Sequence, residues 1–129
     1  MSATPVPPPR AGPYSPFRAA GDLVVTSGQL GVVPGPDGAL ALVDGGTAAQ
    51  LRQALANLSS VLESAGSGLS QVVKATLFLT DMADFAAANA VWVEVFGDPR
   101  PARTAIGVVS LPLGAAVEVE AWAWSGATL

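Results

Sequence analysis

The chain has 129 residues, is 50% hydrophobic and only 12% charged, carries a formal net charge of −4, and contains no cysteine and no histidine. Those absences leave no disulfide framework, no Ser-His-Asp or Cys-His catalysis and no zinc site of the usual ligand set. Six Lys and Arg, scattered among ten Asp and Glu, form no phosphate-neutralising stripe, so nucleic acid is not an expected partner.

Acid–base chemistry therefore falls to Asp, Glu, the single phenol Tyr14 or the single lysine Lys74. The charged fraction is well below the roughly 25% of ordinary soluble domains. A small domain has much surface for its volume, so a surface this apolar is expected to meet another, as in a homo-oligomer. A plain compositional bias, with 14 Gly and 11 Pro, is the alternative. No secretory leader pattern opens the chain and no run reaches transmembrane length. A cytoplasmic protein without membrane contact is expected.

Residues 1–11 include Pro5, Pro7, Pro8 and Pro9 and are predicted to be an extended, loose terminus. Residues 12–129 are predicted to form one domain. Gly12-Pro13-Tyr14-Ser15-Pro16 is a turn-rich lead-in. Phe17 to Ala20 and Leu23 to Ser27 read as a hairpin around Gly21-Asp22. The glycine in Ser27-Gly28-Gln29 permits close approach of a ligand. Val32 to Leu42 is interrupted by a loop at Pro34 to Gly38.

Asp44-Gly45-Gly46-Thr47 leads into a helix of about five turns. Leu51, Leu55, Leu58, Leu62 and Ala65 supply its apolar stripe, with Asn57 largely off it, and Gly66 or Gly68 ends it. No Lys-Ser/Thr follows Gly45-Gly46, so this is a helix entry rather than a phosphate loop.

Val72 to Thr80 alternates as a strand, with Val73, Ala75, Leu77 and Leu79 sharing one face. Asp81 or Asp84 caps a second helix, in which Phe85, Asn89, Trp92 and Phe96 fall on one stripe. Asn89 interrupts it and must be hydrogen-bonded, either as a tether to backbone or as an amide facing a ligand. Gly97 ends this helix, and Pro99 and Pro101 prevent its resumption.

Thr104 to Ser110 and Ala116 to Trp124 are the last two strands, joined by Leu111-Pro112-Leu113-Gly114. Arg103 and Ala105 share a face, as do Glu118, Glu120, Trp122 and Trp124. The order β-β-(β)-α-β-α-β-β suits an α+β sandwich, a mixed sheet with both helices on one face. Pattern alone leaves Arg103 and the glutamates either as solvated charges or as a site. In the second reading, a guanidinium clamps a carboxylate through two parallel hydrogen bonds and a nearby glutamate activates water. A glycosidase-like carboxylate pair is the weaker version, since no sugar platform accompanies it.

At this point the chain resembles the reactive intermediate deaminase (Rid, YjgF-type) family. The matching residues are Gly12-Pro13-Tyr14, Thr26-Ser27-Gly28-Gln29, Lys74-Ala75-Thr76 through Asp81, Asp84-Phe85-Ala86 with Asn89-Ala90, Pro101-Ala102-Arg103, Leu111-Pro112 and Val117-Glu118-Val119-Glu120-Ala121. They run in family order across nearly all of the chain after residue 11.

The resemblance implies a chorismate-mutase-like α+β fold and a homotrimer with clefts between subunits. It implies hydrolysis of enamines and imines, such as 2-aminoacrylate or 2-iminopropanoate, to 2-oxo acids and ammonia by a C–N hydrolase needing no metal or cofactor. Arg103 would clamp the substrate carboxylate and Glu118 would position the water, with Tyr14 in the catalytic set. Ser27, Gly28, Asn89 and Ala105 would form the substrate-binding wall, and Glu120 would be structural.

Three positions depart from common family patterns. Ala105 replaces a cysteine, Arg100 an aromatic residue and Gly107 a glutamate, which leaves substrate preference open. Arg100 reads either as a second cation for a dicarboxylate or as a solvated charge. A small-carboxylate-binding or regulatory trimer without catalysis is the alternative function. An endoribonuclease or translation inhibitor is a further one, disfavoured by the acidic balance and the missing histidine.

Overall fold

The computed structural model of the protein describes residues 12–126; the loose terminus expected over residues 1–11 lies outside them. Alternating apolar residues build the main sheet. Its strands are β1 (Phe17–Ala20), β2 (Leu23–Thr26), β3 (Gln29–Leu30), β6 (Val72–Leu79), β7 (Ala102–Gly107) and β8 (Val117–Trp124). They run in the order β1-β2-β8-β6-β7, with β3 also pairing with β8. β4 (Val32–Pro34) and β5 (Leu40–Leu42) form a separate hairpin around the expected loop. The main sheet is mixed as expected: β6 and β7 are parallel, and the other pairs are antiparallel.

Two helices, α1 (Gly46–Ser64) and α2 (Phe85–Val95), cover one face. Leu51, Leu55, Leu58 and Leu62 on α1 are buried to 1% exposure or less against Leu77, Val119 and their neighbours, each burial worth about 1.5–3 kcal/mol. Gly66 ends α1. It takes a left-handed φ of 80°, its amide bonds to Glu63 and the Ser67 amide bonds to Leu62, which satisfies the last carbonyls as a Schellman motif does.

Four local expectations are corrected. Asn57 is buried rather than off the stripe, because it follows Ala54 and precedes Val61 at helical spacing. Its amide donates to the carbonyls of Leu30 and Val32 at 3.0 and 2.9 Å, tying the segment from β3 to β4 onto α1. A bulge between Val72 and Lys74 moves Val73 to the outside and Val72 to the core, since one extra residue inverts the alternation.

Of the two candidate caps, Asp81 accepts from the amide of Ala83 in a single helical turn before α2, while Asp84 accepts from the Thr47 hydroxyl. Finally, β7 begins at Ala102 and ends at Gly107, so Arg103 lies within the strand. β7 and β8 are not neighbours, because β6 lies between them.

Candidate active site

Arg103 sits on β7, the edge strand of the sheet. The strand alternates exposed and half-covered residues, and Arg103 and Ala105 are the half-covered ones, turned toward the helices. There α2 meets Arg103: its Nη2 donates to Asn89 Oδ1 at 2.8 Å. Its guanidinium carbon lies 5.0 Å from the Trp92 ring centroid and 5.6 Å from that of Phe85, within reach of cation–π attraction. Asn89 is thus a tether, but to a side chain rather than to backbone. Burial lowers the pKa of Arg103, yet a guanidinium stays charged in proteins.

The ion pairs among the described residues are Arg52–Glu94 and Arg100–Asp98, so Arg103 has an amide and two rings about it, and no carboxylate. A hollow of about 340 Å³ opens beside it, bordered by Asn89, Trp92, Val93, Arg100, Pro101 and Arg103.

A second hollow, of about 270 Å³, is bordered by Tyr14, Ser27, Gly28, Pro112 and Glu118. The chain reaches it from the turn-rich lead-in. The Ser27 hydroxyl donates to the Ser15 carbonyl at 2.6 Å and its amide to the Pro16 carbonyl at 2.9 Å, which fixes the segment after β2. Gly28 lets the Glu118 side chain lie close against the backbone: a Cβ there would be 2.7 Å from the Glu118 carboxyl carbon, so any larger residue would displace that carboxyl. Glu118 is half-buried, and that burial, with the neighbouring Glu120 charge second, raises its pKa above the ordinary carboxylate range. A carboxyl raised in this way is a better proton acceptor than an ordinary glutamate.

The two hollows share no residue. Glu118 stands opposite Phe78, and Phe78 opposite Ile106. Arg103 precedes Ile106 by three residues, so it points to the other face of the sheet. Two strand spacings and three residues of rise put the α-carbons of Arg103 and Glu118 about 14 Å apart. Of the expected site residues, Arg103 and Asn89 therefore form one group, and Tyr14, Ser27, Gly28 and Glu118 another. Ala105 shares Arg103's face but packs against the core and borders neither hollow.

Sequence reasoning did not single out Pro112 or Val93 as site residues. It placed Trp92 and Phe85 on the stripe of α2 without seeing that they flank the arginine. Their shared stripe with Asn89 was the available signal.

Comparison with known proteins places the chain in a family. A family model described as "Endoribonuclease L-PSP" matches residues 4–125. The chain belongs to this family, the YjgF/Rid family. It is 41% identical over 119 residues to the 2-iminobutanoate/2-iminopropanoate deaminase of Bos taurus, covering 92% of this chain and 85% of that protein. It is 42% identical over 113 residues to the mitochondrial protein mmf1 of Schizosaccharomyces pombe, covering 85% and 67%.

The crystal structure of RidA from the Antarctic bacterium Psychrobacter sp. PAMC 21119 superposes with a TM-score of 0.84 at 39% identity, covering 91% of this chain and 92% of that one. The YjgF gene product of E. coli gives 0.82 at 35% identity, with 92% and 93% covered. The α+β fold of this YjgF/Rid protein, with its mixed sheet and two helices, is therefore that of its relatives. Among the described residues no helix is long and apolar enough to cross a membrane.

Proposed function

We propose that this YjgF/Rid protein hydrolyses small carboxylate-bearing imines, and their enamine tautomers, to 2-oxo acids and ammonia. The observation that carries the reading is Arg103: a half-buried guanidinium held by Asn89, bordering a hollow, with no carboxylate among the described residues paired to it. Such a group favours an anionic ligand held by two parallel hydrogen bonds. The deaminase relatives at 40–41% identity support the same chemistry.

The parts required are few. The imine carbon is already electrophilic, so the protein has to orient the substrate and deliver water. Arg103 binds the carboxylate. Glu118 takes a proton from water as its oxygen bonds to C2. With the imine nitrogen already protonated, this attack gives the neutral carbinolamine. Glu118 returns its proton to that nitrogen, and the C–N bond breaks as the hydroxyl oxygen forms the C=O bond of the 2-oxo acid. The hydroxyl proton passes back to the Glu118 carboxylate, and ammonia departs. Tyr14, Ser27 and Gly28 border the Glu118 hollow and shape the space around the attacking water.

Because Arg103 and Glu118 point to opposite faces of one chain, the reading requires a second copy to bring an arginine hollow against a glutamate hollow. A homotrimer with clefts between subunits satisfies this. The uncovered sheet face supports it: Leu23, Ile106 and Trp122 are large, apolar and 36–52% exposed there. Singly exposed apolar residues are ordinary, but several on one face of a sheet suit an interface.

The test generates imines in the assay from neutral amino acids with an amino-acid oxidase and follows their disappearance. Acceleration over buffer that is abolished by Arg103→Ala is expected. No acceleration with any imine would end the proposal, and tight binding of 2-oxo acids without turnover would make the protein a binder instead.

A further inference from the structure

We propose that Arg100 makes the Arg103 hollow selective for substrates with a second carboxylate, the imines of acidic amino acids. This rests on the reaction proposed above and narrows its substrate class. Arg100 and Arg103 border the same hollow of about 340 Å³, at the lower end of small-ligand sites, roughly 300–1,000 Å³. A single 2-imino acid has one carboxylate, and Arg103, with Asn89 setting its orientation, suffices for it. The second guanidinium adds a positive charge that such a substrate leaves unmatched. A short dicarboxylate matches both.

The remaining walls support this. They are the Asn89 amide, Trp92, Val93 and Pro101, so no carboxylate among the described residues borders the hollow to neutralise either arginine. Among the described residues, the acid paired with Arg100 is Asp98, at 3.8 Å, with its side chain 92% exposed. That distance is well beyond the roughly 2.7–2.9 Å of a charge-assisted hydrogen bond, and an exposed pair of this kind is worth little. Arg100 therefore remains available to a ligand.

Its backbone is also fixed in advance. Pro99 and Pro101 flank it; proline restricts its own φ and holds the preceding residue extended. Arg100 thus enters the rim from a stiff segment, and binding has to order only its side chain.

The experiment compares kcat/KM for imines generated in situ from aspartate or glutamate with those from alanine or leucine, using the assembled protein. In parallel, calorimetry compares the affinities for 2-oxoglutarate and 2-oxobutanoate, which need no turnover. The unsubstituted protein is expected to favour the acidic member of each pair. Arg100→Ala should lower the acidic-to-neutral ratio about tenfold, through KM rather than kcat, since the lost contact binds substrate and transition state alike. Arg100→Lys should keep most of the preference, because the charge survives. Asp98→Asn should leave it nearly unchanged, because the long, exposed pair holds Arg100 only weakly.

An acidic-to-neutral ratio unmoved by Arg100→Ala overturns the assignment. A protein that hydrolyses neither class yet still binds 2-oxoglutarate in an Arg100-dependent way sinks the proposed reaction and leaves the Arg100 site standing.

Discussion

Arg103 Nη2 and Asn89 Oδ1 meet across 2.8 Å, joining edge strand β7 to helix α2 through a neutral acceptor. A neutral partner orients the guanidinium without consuming its charge. Asn89→Ala is expected to cost about 1.5–3 kcal/mol of transition-state binding, the usual worth of a hydrogen bond to a charged group, read as a ten- to hundredfold lower kcat/KM. Asn89→Asp, almost the same shape, should be worse, because its carboxylate occupies the arginine that the substrate needs. An aspartate variant as active as the parent would remove Arg103 from the carboxylate site.

Glu118 is raised by burial and, second, by Glu120. The carboxylate form is the one that accepts a proton from water, so activity should rise with pH through a limb lying above the ordinary glutamate value of about 4.3. Glu120→Gln removes the repelling charge and should move that limb to lower pH. The linked stability effect has the opposite slope. A folded pKa above the unfolded one stabilises the protein below the unfolded value, and that contribution is lost as pH rises through the folded value. A pH–rate profile and pH-dependent denaturant melts of both proteins check the pair. An acid limb that Glu120→Gln leaves in place would assign it to another group.

Gly28 lies against the Glu118 carboxyl without a positive φ. Gly28→Ala should therefore displace the end of a flexible side chain and leave the backbone unstrained. Stability is expected to change by less than about 1 kcal/mol, whereas kcat should fall at least tenfold, because small misplacements of a reacting group are costly. Denaturant unfolding beside steady-state kinetics separates the two. Equal losses in both would make Gly28 a packing residue only.

Arg103→Ala and Glu118→Gln are each expected to be inactive. If clefts combine an arginine from one copy with a glutamate from another, unfolding and refolding an equal mixture should restore about a quarter of full activity, the random frequency of intact clefts in a closed ring. Trp122, 52% exposed on the uncovered face, provides a fluorescence report that assembly has occurred. Assembled mixtures without activity would place both residues in a site within one chain.

The apolar periodicity made α1, α2 and most strands legible, because the leucine stripe and the alternation in β8 are local properties. Three features were not local. The bulge at Val73 is fixed by pairing with β8, and Asn57 is buried because the β3–β4 segment needs its amide. The position of β7 beyond β6 follows from the parallel crossover through α2.

For the site, residue types left Arg103, Asn89 and the two glutamates open between structural and site roles. The family resemblance singled out Arg103, Asn89 and Glu118, and the glycine of Ser27-Gly28 permitted a close approach. Their division into two groups on opposite faces was illegible, since it depends on which strand separates Arg103 from Glu118. Reading β7 and β8 as neighbours would have put them together.

If the proposed cleft joins an arginine from one copy to a glutamate from another, that division makes concentration a functional variable. On the proposed reading, a chain that holds its arginine and its glutamate back to back would be silent when isolated, whatever its folding stability. Specific activity should then collapse on dilution below the assembly threshold while helix content persists. In a cell holding two alleles, a defective copy would spoil clefts contributed by its healthy neighbours, so the lesion would be inherited as partly dominant.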